Sequence, residues 1–220
     1  MKLYVGNIEL NFEKKGSGKP LIMIHGNGED LHIFDELTES LKNDFTIYSI
    51  DMRNHGKSSM TDDFDYSIMA YDLYLFIQKL RIDKPFFFGF SDGGILGLLL
   101  SIGYPDLFEK VVVAGANMNP KGILPRITKI SLENYEKTKS PYEKMMIEQP
   151  NIRNQDLNKI KTPVLVLAGE YDIVRETHTK RIARHIKNST LRIIPKRAHH
   201  DYIVHTDELK DILKDFYYSI

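Results

Sequence analysis

The sequence predicts an α/β fold, in which a mostly parallel central sheet of about eight strands carries helices on both faces. Three observations point there. Short apolar runs alternate with longer mixed segments along the chain. The runs 111–116 and 163–168 are apolar at nearly every position, the pattern of strands buried on both faces. With 220 residues, 42% of them hydrophobic and 27% charged, the chain can bury one core, so residues 1–220 are read as a single domain.

The elements follow in order. Residues 2–5 and 8–14 read as two strands turning at Gly6-Asn7. Gly16-Ser17-Gly18 turns the chain again, and 21–25 is an apolar strand. Residues 31–42 suit a helix and 45–51 the next strand. Over 66–81 the apolar positions Ile68, Met69, Leu73, Phe76, Ile77 and Leu80 fall at near-helical spacing. A Phe-rich strand spans 85–90, and a helix over 95–102 is stopped by Tyr104-Pro105. After the strands at 111–116 and 163–168 come a helix over 175–187, a strand over 191–195 and a closing helix over 208–217. The rhythm breaks at 118–158. That stretch is polar, holds Pro120, Pro125, Pro141 and Pro150, and far exceeds the ~12 residues a crossover needs. It is read as a short lid insertion.

Composition removes several classes of function. Thirty Lys and Arg balance thirty Asp and Glu, so no net charge draws the chain to nucleic acid. The absence of Cys excludes disulfides, thiolate nucleophiles and Cys-type zinc sites. No run approaches ~18 apolar residues, so no membrane span is expected. The first residues lack the apolar stretch of a signal peptide, which implies a cytoplasmic location.

The segment that carries chemistry is Gly89-Phe90-Ser91-Asp92-Gly93-Gly94, a G-x-S-x-G match between a predicted strand and a predicted helix. About 0.05 such matches are expected by chance in a chain of this composition. A nucleophile at so sharp a turn has a strained backbone. Side chains two positions to either side would collide where strand and helix cross, and Gly89 and Gly93 remove them. Ser91 then stands at the N-terminal end of the helix, where free N–H groups favour negative charge.

Four more segments follow predicted strands: His25-Gly26-Asn27-Gly28, the stretch from Asp51 to Ser58, Gly169-Glu170-Tyr171-Asp172, and Pro195-Lys196-Arg197-Ala198-His199-His200. At these residues the chain resembles the α/β-hydrolase family over nearly its whole length. Its Ser-Asp-Gly-Gly elbow is similar to that of the valacyclovir hydrolase-like small esterases. The resemblance implies the α/β-hydrolase fold and a nucleophile, acid and histidine in that order, met by Ser91, Asp172 and His199. It also implies an oxyanion held by the backbone N–H groups of Asp92 and Asn27. A Ser hydroxyl needs an adjacent base. A histidine, with an ordinary pKa near ~6.5, can take the proton and return it, and the aspartate fixes its tautomer. The expected function is hydrolysis of a small-molecule carboxylic ester through an acyl-enzyme, with no metal or cofactor. The same triad serves thioesterases, acyltransferases, aminopeptidases and C–C hydrolases, and the fold also suits a non-catalytic ligand-binding protein.

The chain departs from the family pattern in three places. Ala198 stands where Gly usually precedes the histidine, and His200 follows as a rival base; register from Pro195 favours His199. Asn54 replaces the first Gly of an Arg-Gly-x-Gly loop, where Asn tolerates left-handed backbone. The chain is also short for the family, a loss assigned to the lid.

Other residues have weaker signals. Phe90 and Met118 are candidate substrate contacts, and Met118, Met145 and Met146 suit either packing or an adaptable acyl pocket. The Asp92 side chain either attracts a cationic group such as an amine or turns away to pair with a lid Lys or Arg. His25 reads as a structural turn residue. His178 and His185 read as solvated on a surface helix. His199, His200, Asp201 and His205 fit no metal template. Gly56-Lys57-Ser58 is no phosphate loop, because Asp51 stands where that motif needs Gly, and Gly26-Asn27-Gly28 lacks the third Gly of a dinucleotide fingerprint at Leu31.

Overall fold

The computed structural model describes residues 1–219. Its strands are β1 (Lys2–Val5), β2 (Ile8–Gly16), β3 (Lys19–Ile24), β4 (Phe45–Ile50), β5 (Phe86–Phe90), β6 (Val111–Ala114), β7 (Val164–Tyr171) and β8 (Ser189–Ala198). Its helices are α1 (Asp35–Leu41), α2 (Tyr66–Lys79), α3 (Asp92–Gly103), α4 (Pro125–Thr138), α5 (Pro141–Glu148), α6 (Asn154–Leu157), α7 (Glu176–His185) and α8 (Lys210–Tyr218). The strands form one sheet in the order β1-β2-β4-β3-β5-β6-β7-β8. β2 is antiparallel to both β1 and β4, and every pair from β4 to β8 is parallel. Because β3 lies between β4 and β5, the C-terminal ends of β3 and β5 sit side by side, where open parallel sheets bind ligands.

The central strands β3 to β7 are largely buried on both faces, which explains why they are apolar at successive positions. Side chains alternate between two cores. Phe87, Val111 and Val113 pack with Met69, Leu73 and Phe76 of α2, Ile95 and Leu98 of α3 and Ile182 of α7. Phe86, Phe88 and Val112 face the other way, onto Leu37 and Leu41 of α1 and Leu213 and Tyr217 of α8. The helix starts follow local chemistry. Asp65 caps α2 by accepting from the N–H groups of Ser67 and Ile68, and Pro125 and Pro141 open α4 and α5.

The stretch 118–158 is helical, holding a 3₁₀ turn at Pro120–Gly122 and then α4, α5 and α6. Its base is clamped to the segment after β7. Ile123 bridges to Val174, Leu124 N–H donates to Ile173 O at 2.9 Å, and Arg175 N–H donates to Gly122 O at 2.8 Å. His178 corrects the sequence reading. It is buried, and its Nε2 accepts the Met118 N–H at 2.9 Å. Burial, reinforced by Arg181 and Arg175, pushes its imidazole down to about 4, so the ring is a neutral acceptor. The solvated reading failed because α7 turns this face toward the base of the insertion.

Candidate active site

Ser91 joins β5 to α3 with φ 50° and ψ −112°, a left-handed backbone for a residue with a side chain. The two glycines around it are sterically required. A Cβ on Gly89 would lie 2.2 Å from Gly93 O, and one on Gly93 would lie 2.1 Å from Ile24 O. α3 starts at Asp92, earlier than the 95 expected from apolar spacing, because Gly93 and Gly94 carry no periodic signal.

The register of the last two strands brings the other two residues together. Tyr171 pairs with Ala198 across an irregularity in the β7–β8 ladder, so Asp172 and His199 leave the sheet side by side. His199 Nδ1 lies 2.7 Å from Asp172 Oδ1, and His199 Nε2 lies 3.1 Å from Ser91 Oγ. Asp172 also accepts the N–H groups of Val174 at 2.9 Å and Gly169 at 3.3 Å. An ionised carboxylate only accepts, so Nδ1 carries the proton and the Nε2 lone pair faces the Ser91 hydroxyl. Both residues are buried, His199 at 3% exposure and Asp172 at 6%. The rival His200 is exposed and directed elsewhere, its Nε2 3.7 Å from Glu29 Oε1. Gly115, at φ 63°, leaves room for the ring, since a Cβ there would lie 2.6 Å from His199 Cε1. The sequence reading missed Gly115, as a glycine ending a strand carries no distinctive signal.

The turn after β3 lies against Ser91. A Cβ on Gly26 would be 3.1 Å from Ser91 Cβ, and Gly26 N–H donates to Glu29 Oε2 at 2.9 Å. Burial raises the Glu29 carboxyl above its usual range. Nothing in the sequence separates Glu29 from a solvated charge, and it was missed. His25 is the strut of this turn. Its Nδ1 donates to Gly26 O at 2.7 Å and its Nε2 accepts Met52 N–H at 3.1 Å. Burial, with nearby His55, pushes it down to about 4, so it stays neutral. Among the described residues, neither Asn27 N–H nor Asp92 N–H donates to a protein acceptor.

A narrow, partly open cavity lies over Ser91, walled by Asp92, His199, Tyr66 of α2, and Ile123, Met146 and Gln149 of the insertion. About 20 Å³ is open to the centre of a water-sized sphere, room for one or two waters. Phe90 and Met118, expected as substrate contacts, do not line it. Phe90 is in the core with its ring centroid 4.8 Å from that of His199, and Met118 packs in the core beneath the insertion. Strand alternation explains Phe90, which points away from the face that Ser91 leaves. Asp92 does line the cavity. Its side chain is buried, pairs with no lid Lys or Arg, and leaves Oδ2 without a hydrogen-bond partner. Burial pushes its carboxyl up to about 7; the charge of Glu29 adds to this, while Tyr66 and His199 oppose it. No group of three or more His, Asp or Glu among the described residues is placed to hold a metal. No helix there is long and apolar enough to cross a membrane.

Residues 19–140 match the family model described as alpha/beta hydrolase fold. Over 249 aligned positions the chain is 26% identical to the serine hydrolase BPHL of Homo sapiens, covering 98% of this chain and 85% of that protein. The enol-lactonase from Burkholderia xenovorans LB400 superimposes with a TM-score of 0.83 at 18% identity, covering 100% of both chains. A thermophilic esterase from Thermogutta terrifontis gives 0.79 at 19% identity, covering 99% of this chain and 98% of that one. At these identities the two structures speak for the fold.

Proposed function

Because this chain belongs to the alpha/beta hydrolase fold family, we propose that it is a serine hydrolase cleaving a small carboxylic ester through an acyl-enzyme. The observation that carries the reading is the line of three side chains, with His199 reaching Ser91 Oγ at 3.1 Å and Asp172 at 2.7 Å. Ser91 Oγ attacks the carbonyl carbon while His199 Nε2 takes its proton. Asp172 keeps the proton on Nδ1 and stabilises the imidazolium. The oxyanion meets the free N–H groups of Asp92 and Asn27. Collapse expels the alcohol, which takes the proton back from His199, and water repeats the sequence to release the acid. The similarity to the serine hydrolase BPHL of Homo sapiens over 98% of this chain supports a serine-hydrolase reading.

A second feature narrows the substrate. Asp92 presents an unpartnered carboxyl oxygen beside the nucleophile, which favours an ester carrying a cationic group. The stretch 118–158, which supplies three walls of the cavity, serves as the lid. The test is Ser91→Ala assayed on phenyl acetate, with circular dichroism as the folding control. A fall in kcat of about 10³-fold or more is expected, together with loss of fluorophosphonate labelling. Retained turnover by the folded variant refutes the assignment.

A further inference from the structure

The cavity over Ser91 is too narrow in this conformation for a whole ester, because its space of about 20 Å³ for the centre of a water-sized sphere admits only one or two waters. Widening it for an ester requires one of its walls to move aside. Two side chains are shared between the cavity and an outer groove. Ile123 faces a groove that includes Pro125, Leu132 and Arg175. Gln149 faces a groove of about 360 Å³ rimmed by Asp62, Lys144 and Glu148.

The two walls are held differently. Ile123 is buried and fixed by its main chain. Its N–H donates to Pro120 O at 3.1 Å, it bridges to Val174, and the Leu124 and Arg175 N–H groups close the same junction. Moving it breaks main-chain hydrogen bonds and pulls on the segment that begins at Asp172. The Gln149 side chain is held by its amide alone. Oε1 accepts Tyr66 N–H at 3.2 Å, and Nε2 donates to Phe64 O at 3.1 Å. A change of rotamer frees it with the backbone in place, and water on the groove side can replace both bonds at small net cost.

We propose that Gln149 is the gate of the substrate cavity, and that the groove beyond it receives a hydrophilic leaving group. This rests on the serine-hydrolase reading above. The charged rim of Asp62, Lys144 and Glu148 solvates hydroxyls and offers an alkyl chain little apolar surface.

The test compares phenyl acetate with the acetate ester of a sugar, so that the acyl group and the deacylation step are common to both. Gln149→Ala is expected to raise the sugar-to-phenyl ratio of kcat/KM by about tenfold or more. Lys144→Trp fills the groove from an exposed position, and is expected to raise KM for the sugar ester by about fivefold relative to phenyl acetate. Leu132→Trp, in the groove beyond Ile123, leaves the ratio within about twofold. An unmoved ratio in both Gln149→Ala and Lys144→Trp overturns the proposal, as does a fall in the ratio caused by Leu132→Trp instead. If Gln149→Ala fails to fold, Lys144→Trp decides alone. Phenyl acetate turnover and fluorophosphonate labelling of Ser91 report on the parent reading separately. Their absence in the native protein sinks that reading, whereas intact turnover with unmoved ratios sinks the gate alone.

Discussion

Asp92→Asn isolates the cost of a buried carboxyl. The substitution preserves shape and removes ionisation. Burial pushes the Asp92 carboxyl from 3.8 up to about 7. Below pH 3.8 the group is protonated in both folded and unfolded chains, and contributes no difference. Between 3.8 and 7 the unfolded chain has released the proton and the folded one still holds it. The unfolded state then binds fewer protons, so stability falls as pH rises, and levels off above 7. The interval of about three pH units corresponds to ~4 kcal/mol at most. A water entering the cavity lowers this, and ~1 kcal/mol still moves Tm by about 2–4 °C at this chain length. The assay is thermal unfolding of both proteins from pH 4 to pH 8. The Tm of Asp92→Asn relative to wild type should climb through this range and flatten above 7. Kinetics should follow the same titration. With a trimethylammonium ester and its uncharged carbon isostere, wild type should increasingly prefer the cation as pH passes 7, and the variant should show a flat ratio. A Tm difference independent of pH refutes the account of Asp92 as a buried carboxyl.

Three further perturbations test the framework. Gly93→Ala places a Cβ 2.1 Å from Ile24 O, so overpacking of about 1–3 kcal/mol is expected, seen as a lower Tm with weakened activity; a wild-type Tm contradicts the steric argument. Arg53 is buried and bidentate on Asp72, with Nε–Oδ2 at 2.7 Å and Nη2–Oδ1 at 2.9 Å. Burial already holds the Asp72 carboxyl above its usual range. Arg53→Met strands that carboxyl at a cost of about 3–5 kcal/mol, and a Tm loss under ~2 °C would count against the pair. His199→Ala should lower kcat by about 10³-fold or more, while His200→Ala stays within about threefold; the reverse ranking would move the base to His200.

What was legible in the sequence was local in the chain. The run 85–90 reads as a strand because Phe86, Phe87 and Phe88 fill both cores at once. The elbow reads as a nucleophile turn because the steric need for Gly89 and Gly93 lies within two residues of Ser91. Asp172 and His199 were placed by motif order. What joins them in space is the pairing of Tyr171 with Ala198, which no local pattern records. Several contacts that tie the insertion to the rest of the fold are long-range. Gln149 reaches Phe64 and Tyr66, the Tyr142 hydroxyl donates to Asn54 O, and Met118 N–H donates to His178. A polar side chain at the end of a short helix has the same sequence signature whether it meets water or the backbone of a distant segment.

The three methionines of the insertion show how fine that ambiguity is. Met118 and Met145 are buried in the core, while Met146 lines the cavity over Ser91. Met145 and Met146 are chemically identical neighbours on α5, and successive helical residues point about 100° apart. Which of them lines the cavity over Ser91, and which packs in the core and borders the groove at Lys144 and Glu148, depends on the rotation of α5 about its axis. That rotation is set from outside the helix, where Tyr142 packs edge-on against His55 and Phe64 and its hydroxyl donates to Asn54 O. The lining of the cavity over Ser91 therefore depends on how α5 is docked, and a substitution at Tyr142 acts on that cavity through Met146 as well as through its own contacts.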